Sequence, residues 1–497
     1  MRSFASIARA NRFASAAAIT LALGGVPSFD AVAADAADAA APSKTVQLLQ
    51  KLLAFDTSNP PGNTKALAEF LKAQFEPLGV ETDVIPTPGQ AVHFIARVKG
   101  DGSKRPVLLA GHSDVVPVER QLWTVDPFAG VVKDGFVLGR GAMDFKGGLA
   151  VFARAIMMLV ENKIPLARDV ILLAEADEEA GNHGTEWLAA NHWDKIDAEF
   201  ALNEGGWILE GKNGEAQQIN ITTTEKLSLT LELTTHGTPT HSSRPPLDNA
   251  ETAVGRLAKA LAKLADHETA PHLNDQTRAY FRALSESGQE PLAGHLRTLV
   301  ESNDPQALRE AGEKSVELGA YPLLWHALMR NTISLTIIQG GIKNNVIPGM
   351  AQATINIRAI PGVKFEAIVE ELRKVIDDSK VGISAPGYKS LDDARASFDG
   401  RTVAPPSSTG TDLYRALTGT GKRIWPKAEV VPAVFEAGTD ASAWRKRGIP
   451  VYGIYPYPLD NETLLRMHGN DERVGVRSLD QGTGWVYETL VEVAGKK

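Results

Sequence analysis

Residues 172–184 read LLAEADEEAGNHG, an apolar run that stops at three acids, Asp177, Glu178 and Glu179. Adjacent carboxylates either solvate a turn or divide chemical work, one binding a metal ion while its neighbour moves a proton. A second apolar run, LLAGHSDVVP, ends in His112 and Asp114. Alternate residues of an extended chain point the same way, so Asp114 can hold the His112 ring through its second nitrogen, the usual support of a metal-bound imidazole. A plain His–Asp hydrogen bond at a strand end has the same spacing. Asp144 follows glycines in LGRGAMDFKGG, Glu204 ends an apolar run in ALNEGG, and His468 stands in MHGNDERVG. Two histidines and several carboxylates, in a chain without cysteine, fit zinc or another borderline divalent metal.

The elements around these residues explain how they could meet. From Thr45 to about Thr223, short apolar runs such as PVLLAGHSD and DVILLAEADEE alternate with amphipathic segments such as TKALAEFLKAQFEPL. Buried strands alternating with helices predict an α/β domain, a mostly parallel sheet covered by helices. Loops after parallel strands gather at one sheet edge, where ligands bind, and His112, Asp177–Glu179 and Glu204 all occupy such loops. Beyond Thr223 the texture changes to strict alternation in LSLTLELTT, TISLTIIQGG and AQATINIRAI. This predicts a smaller α+β unit at residues 224–359, inserted as a lid and carrying extra helices at about 267–331. Catalytic-domain texture is expected on both sides of it, at 45–223 and 360–497.

At 497 residues the chain is too long for one ordinary core, and its 43% hydrophobic and 23% charged residues are globular values. A net charge of -8 argues against a nucleic-acid partner. The start reads as an export signal at residues 1–33: Arg2, Arg9 and Arg12, a short apolar core, then AVA as a cleavage site. Its removal takes away three positive charges and Asp30, so -8 becomes -10. A flexible leader, 34–44, would follow, and the mature protein would be periplasmic or secreted. Without cysteine it would rely on its core alone, and beyond the signal no stretch is long and apolar enough for a membrane helix.

Three motifs carry less than they suggest. GRGAMD has Asp144 where a dinucleotide fingerprint needs its third glycine. HETAPH, at His267, spaces its histidines one place too far for a zincin helix, and Pro271 would break that helix. TGTGKR has Arg423 where a phosphate loop needs serine or threonine.

GHSDVVPV, GRGAMDFKGG, DEEAGNHG, NEGG, THSSRP, NNVIP, GTDASAW and HGNDERV occur in the order found in a family of dinuclear zinc hydrolases. That family includes carboxypeptidase S, aminoacylase, acetylornithine deacetylase and succinyl-diaminopimelate desuccinylase. The chain resembles it from about Thr45 to the C-terminus. WTVDPFAG and the long insertion look most like carboxypeptidase S and its fatty-acyl-amino-acid hydrolase relatives.

The resemblance implies a zinc-exopeptidase type of fold and two divalent ions, zinc in preference to cobalt or manganese. By it, Asp144 bridges the ions, His112 and Glu204 complete one site, and Glu179 and His468 complete the other. Glu178 is then the general base, Asp114 orients His112, and the Asp144–Phe145 peptide is cis. His241, in THSSRP, would stabilise an oxyanion from the lid, in its own chain or in a partner's, since some relatives dimerise through this unit. Asn345 and Arg358 would touch the substrate, the arginine by clamping a free α-carboxylate. The closing motif departs from the usual H-G-x-N-E, with Asp471 before Glu472. The expected activity is hydrolysis of a small peptide or N-acyl amino acid with a free carboxylate, by a metallopeptidase or amidohydrolase. A metal-dependent esterase or lactonase would use the same ions. A non-catalytic peptide-binding protein could keep the fold, but would usually have lost a ligand or Glu178, and none is missing here.

Overall fold

Four strands are buried along their whole length: Val170–Glu175, Val107–His112, Phe200–Asn203 and Val451–Gly453. Strands covered on both faces read as continuous apolar runs, and these four lie side by side and parallel in that order. They form the middle of a mixed sheet, ten-stranded among the described residues. Alternate residues go to opposite faces. Leu109, Leu172 and Leu202 pack with Phe152 and Ile156 of the helix Lys146–Glu161. Leu108, Ile171 and Ala201 pack with Leu188 and Trp444 on the other side. The computed structural model describes residues 42–496 apart from 182, 212 and 402–404. The expected export signal and most of the leader therefore lie outside the described residues. Among those described, no helix is long and apolar enough to cross a membrane.

The second sheet is antiparallel, with strands in the order Thr332–Gly340, Met350–Ala359, Leu227–His236 and Val381–Ser384. Leu229, Leu231 and Leu233 face its core as the alternation predicts, under the helices Ala253–Ala265 and Phe365–Ile376. The boundary expected at residue 359 differs from this arrangement. The helix Phe365–Ile376, the strand Val381–Ser384 and the helix Leu391–Arg401 all belong to the second sheet's unit. Helical periodicity says that a face is buried, not which sheet buries it.

The helices between residues 275 and 328, expected within the lid, differ in the same way. Tyr280, Phe281, Leu296 and Trp325 pack into the large sheet's core, and the Tyr321 hydroxyl donates to the Glu210 and Leu459 carbonyls. TGTGKR lies inside the helix Asp412–Ile424, so it is no phosphate loop.

Candidate active site

The four parallel strands deliver their carboxyl ends to one place. His112 ends its strand, Glu204 follows Asn203 directly, and Asp177–Glu179 follow the strand that ends at Glu175. Asp144 is supplied by the glycine loop before the helix Lys146–Glu161, across a cis Asp144–Phe145 peptide. The Phe145 ring lies stacked on His112, with centroids 5.9 Å apart. That contact explains two glycines, since a Cβ on Gly111 or Gly148 would stand 2.5 or 2.2 Å from the ring.

Asp144 is shared between two imidazoles. His112 Nε2 lies 3.1 Å from its Oδ1, and His468 Nε2 lies 2.9 Å from its Oδ2. Glu204 Oε2 is 3.4 Å from His112 Nε2, and Glu179 Oε1 is 3.2 Å from His468 Nε2. Two groups of three donors therefore meet at one carboxylate, with donor atoms within 4.8 Å of one another in each. A Glu178 oxygen lies within the same reach of His112 and Glu179. The set fits two divalent ions on its own chemistry. It has imidazole and carboxylate donors without thiolates, and acids outnumber histidines.

Charge accumulates here. Burial and the Glu204 carboxylate push Glu178 well above the usual carboxylate range. Burial likewise raises Glu204 to about 7 against the pull of His112. Asp144 is lowered, because hydrogen bonds from both histidines outweigh its burial. His468 would be lowered by burial, but Asp144 and Glu179 raise it to about 10.

The turn that separates Glu178 from Glu179 is built by Asp114. Its Oδ1 accepts the Glu178 N–H at 3.2 Å and its Oδ2 the Glu179 N–H at 3.1 Å. Asp114 also stands beside the His112 ring. His112 Nδ1 is held at 2.9 Å by the Asp114 backbone carbonyl, whereas the carboxylate oxygen is 3.7 Å away. The carboxylate, bonded to the two amides, stays in ion-pair range of the ring.

Arg358 lines the same cleft, a cavity of about 1030 Å³ that also exposes Asp144, Glu178, Glu204 and His468. His241 and Asn345 do not line it. They share a two-stranded ribbon, where exposed His241 bonds Ser243 Oγ at 2.8 Å and the Asn345 carbonyl accepts the Ser242 N–H.

Three residues were missed by sequence reasoning. Asn59 Nδ2 donates to Asp114 Oδ2 at 2.8 Å and to Asp177 Oδ1 at 3.0 Å. The Tyr455 hydroxyl donates to Asp144 Oδ1 at 2.8 Å, its ring stacked on Trp207. Its signal was present, because it stands two residues past the parallel strand Val451–Gly453. Glu472 pairs with Arg140 at 2.6 Å and accepts the N–H groups of Gly141, Met143 and Asp144. It thereby shapes the loop that carries Asp144. Asp471, the departure in the closing motif, accepts the Thr124 N–H at 2.8 Å and so ties down the His468 loop.

A glycine loop, three parallel strand ends and a C-terminal histidine converging on one carboxylate define a metallohydrolase architecture. The chain belongs to peptidase family M20/M25/M40, whose pattern matches residues 108–492. It is a metallopeptidase or amidohydrolase of that family. It is 29% identical over 447 residues to the N-fatty-acyl-amino acid synthase/hydrolase PM20D1 of Mus musculus, covering 87% of this chain and 84% of that protein. It is 31% identical over 399 residues to a probable carboxypeptidase S-like 2 of Dictyostelium discoideum, covering 78% and 72%. The fold matches the M20 family metallo-carboxypeptidase Sso-CP2 from Sulfolobus solfataricus, with a TM-score of 0.64 at 19% identity over 91% of this chain and 99% of that one. Human carnosine dipeptidase 1 matches with a TM-score of 0.62 at 16% identity, over 90% and 95%.

Proposed function

We propose that the protein cleaves the amide bond linking an amino acid with a free carboxylate to an acyl group or peptide, using two divalent ions, zinc foremost. The observation that carries this reading is the pair of three-donor groups sharing Asp144, with Glu178 alongside. His112, Asp144 and Glu204 would hold one ion, and Asp144, Glu179 and His468 the other. Such ions polarise a carbonyl and lower the pKa of a water from 15.7 to about 7. Glu178, free of the Asp144-centred groups, takes a proton from the attacking water and returns it to the leaving nitrogen. Arg358 clamps the substrate carboxylate, which a guanidinium meets with two parallel hydrogen bonds. The Tyr455 hydroxyl keeps Asp144 and Glu204 oriented.

His241 belongs to this chemistry only if a second copy brings it over the cleft, because in its own chain it faces solvent on the ribbon. The second sheet supports such a dimer. Its edge strand Thr332–Gly340 leaves Ile337 51% and Ile338 64% exposed, an apolar edge that pairing would cover. Export rests on the charge, apolar core and small residues of 1–33, and cell fractionation with N-terminal sequencing of the mature protein tests it.

The deciding experiment is a panel of peptides, N-acyl amino acids, their C-terminal amides and matched esters, assayed with and without chelator. Chelator-sensitive cleavage of amides with a free carboxylate is expected. Cleavage of esters alone, or equal cleavage of free acids and C-terminal amides, overturns the reading.

A further inference from the structure

Five cationic side chains of Lys or Arg line the cleft: Lys226, Arg358, Arg401, Arg445 and Lys446. Three are committed. Lys446 pairs with Glu186 at 2.9 Å, and Arg445 with Glu225 at 3.3 Å. Lys226 donates to the carbonyls of Ala327 and Arg330, both at 2.9 Å. Arg358 and Arg401 have no carboxylate partner among the described residues. Arg358 Nε donates to Asn356 Oδ1 at 3.2 Å, which leaves its terminal nitrogens for a ligand.

Both guanidinium-bearing side chains line the one cleft. Arg401 Nη2 donates to the Ser228 carbonyl at 2.9 Å, and Ser228 is the cross-strand partner of Arg358. Arg401 is also steadied by the Phe398 ring, 5.5 Å away. The helix Leu391–Arg401 presents Ala396, Ser397, Gly400 and Arg401 to the cleft, and three of these are small, so a side chain can lie along it.

We propose that Arg358 and Arg401 form a two-cation wall that selects substrates whose carboxylate-bearing residue is itself acidic. The α-carboxylate rests on Arg358 and the aspartate or glutamate side chain on Arg401. This deepens the function proposed above and rests on it for the α-carboxylate. A neutral side chain leaves Arg401 with only the Ser228 carbonyl and water, and a basic one meets two cations.

The test uses the zinc-loaded full chain with matched pairs, N-acetyl-glutamate against N-acetyl-glutamine and Ala-Glu against Ala-Gln. Wild type is expected to favour the acidic member by about 10-fold or more in kcat/KM, the scale of one charge-assisted hydrogen bond. Arg401→Gln is expected to bring that ratio close to one. A wild-type ratio near one, a preference that survives in Arg401→Gln, or an equal fall on both members overturns the proposal. Calorimetric binding of L-glutamate and L-glutamine to the same two proteins reads the wall without turnover. If no amide is cleaved, the hydrolase reading fails. Glutamate binding that is stronger than glutamine binding, and that drops in Arg401→Gln, still upholds the wall, and its absence refutes it.

Discussion

Asn59 donates a hydrogen bond of 3.0 Å to Asp177, the residue where the acidic strand end turns with φ of 76°. The same amide donates to Asp114 at 2.8 Å, so one neutral side chain separates two carboxylates and ties them together. Asp114 in turn holds the backbone of Glu178 and Glu179. The division of labour proposed for the two glutamates thus runs back to a residue far away in sequence.

Asn59→Ala is expected to lower kcat by about 10- to 100-fold, since hydrogen bonds to charged groups are worth roughly 1.5–3 kcal/mol. Adding Asp177→Gly should recover part of that loss. Glycine adopts positive φ without a clamp, and the substitution removes one of the two facing acids. A double variant no better than Asn59→Ala would refute this linkage.

Glu178→Gln and Glu179→Gln should fail in different ways. The first is expected to retain both ions and lose about 10²–10⁴-fold in kcat, the share of acid–base catalysis. The second should lose one equivalent of metal. Metal analysis beside single-turnover rates separates them, and equal metal loss in both would reverse the assignments.

Metal binding should release protons. In the metal-free chain His468 is raised to about 10, so below that pH its ring is protonated and must lose a proton before it can ligate. Affinity is therefore expected to rise with pH, and calorimetry in buffers of different ionisation enthalpy should record proton release at neutral pH. The sign for stability is opposite. A raised histidine stabilises the metal-free fold fully below its unfolded value, near 6.5, and that contribution is lost as pH rises through about 10. Metal affinity that does not vary with pH would exclude His468 as a ligand.

Subunit mixing tests the dimer. His241→Ala and Glu178→Gln chains, each inactive alone, should regain about a quarter of wild-type activity when they exchange at random, because half the dimers then carry one complete site. No recovery between exchanging subunits would exclude a partner's histidine. A charge on the exposed edge, as in Ile338→Lys, should shift the protein towards monomer in sedimentation.

Glu472→Ala should destabilise the protein by about 3–5 kcal/mol, because it leaves the Arg140 guanidinium buried without its partner. Denaturant unfolding measures this. A loss below 1 kcal/mol would mean that water replaces the carboxylate.

The proposed metal ligands apart from His468 were legible in sequence because each stands where an apolar strand or a glycine loop ends, and local patterning records such ends. His112, Glu204 and the Asp177–Glu179 turn could be assigned to one sheet edge without coordinates, since parallel strands deliver their carboxyl ends together. The leucine alternation of the strand Leu227–His236 likewise announced a second, half-buried sheet. What tertiary structure decided were relationships between distant segments. Which sheet receives the helix Phe365–Ile376 or the aromatic residues Tyr280 and Trp325 depends on complementary surfaces, and periodicity carries no address. That Asp114 holds the Glu178–Glu179 backbone while its own carbonyl holds His112 depends on a choice between hydrogen-bond partners of similar energy. Asn59 and Arg401 gained their positions through contacts made only once the chain had closed on itself, so nothing in their local sequence could reveal them.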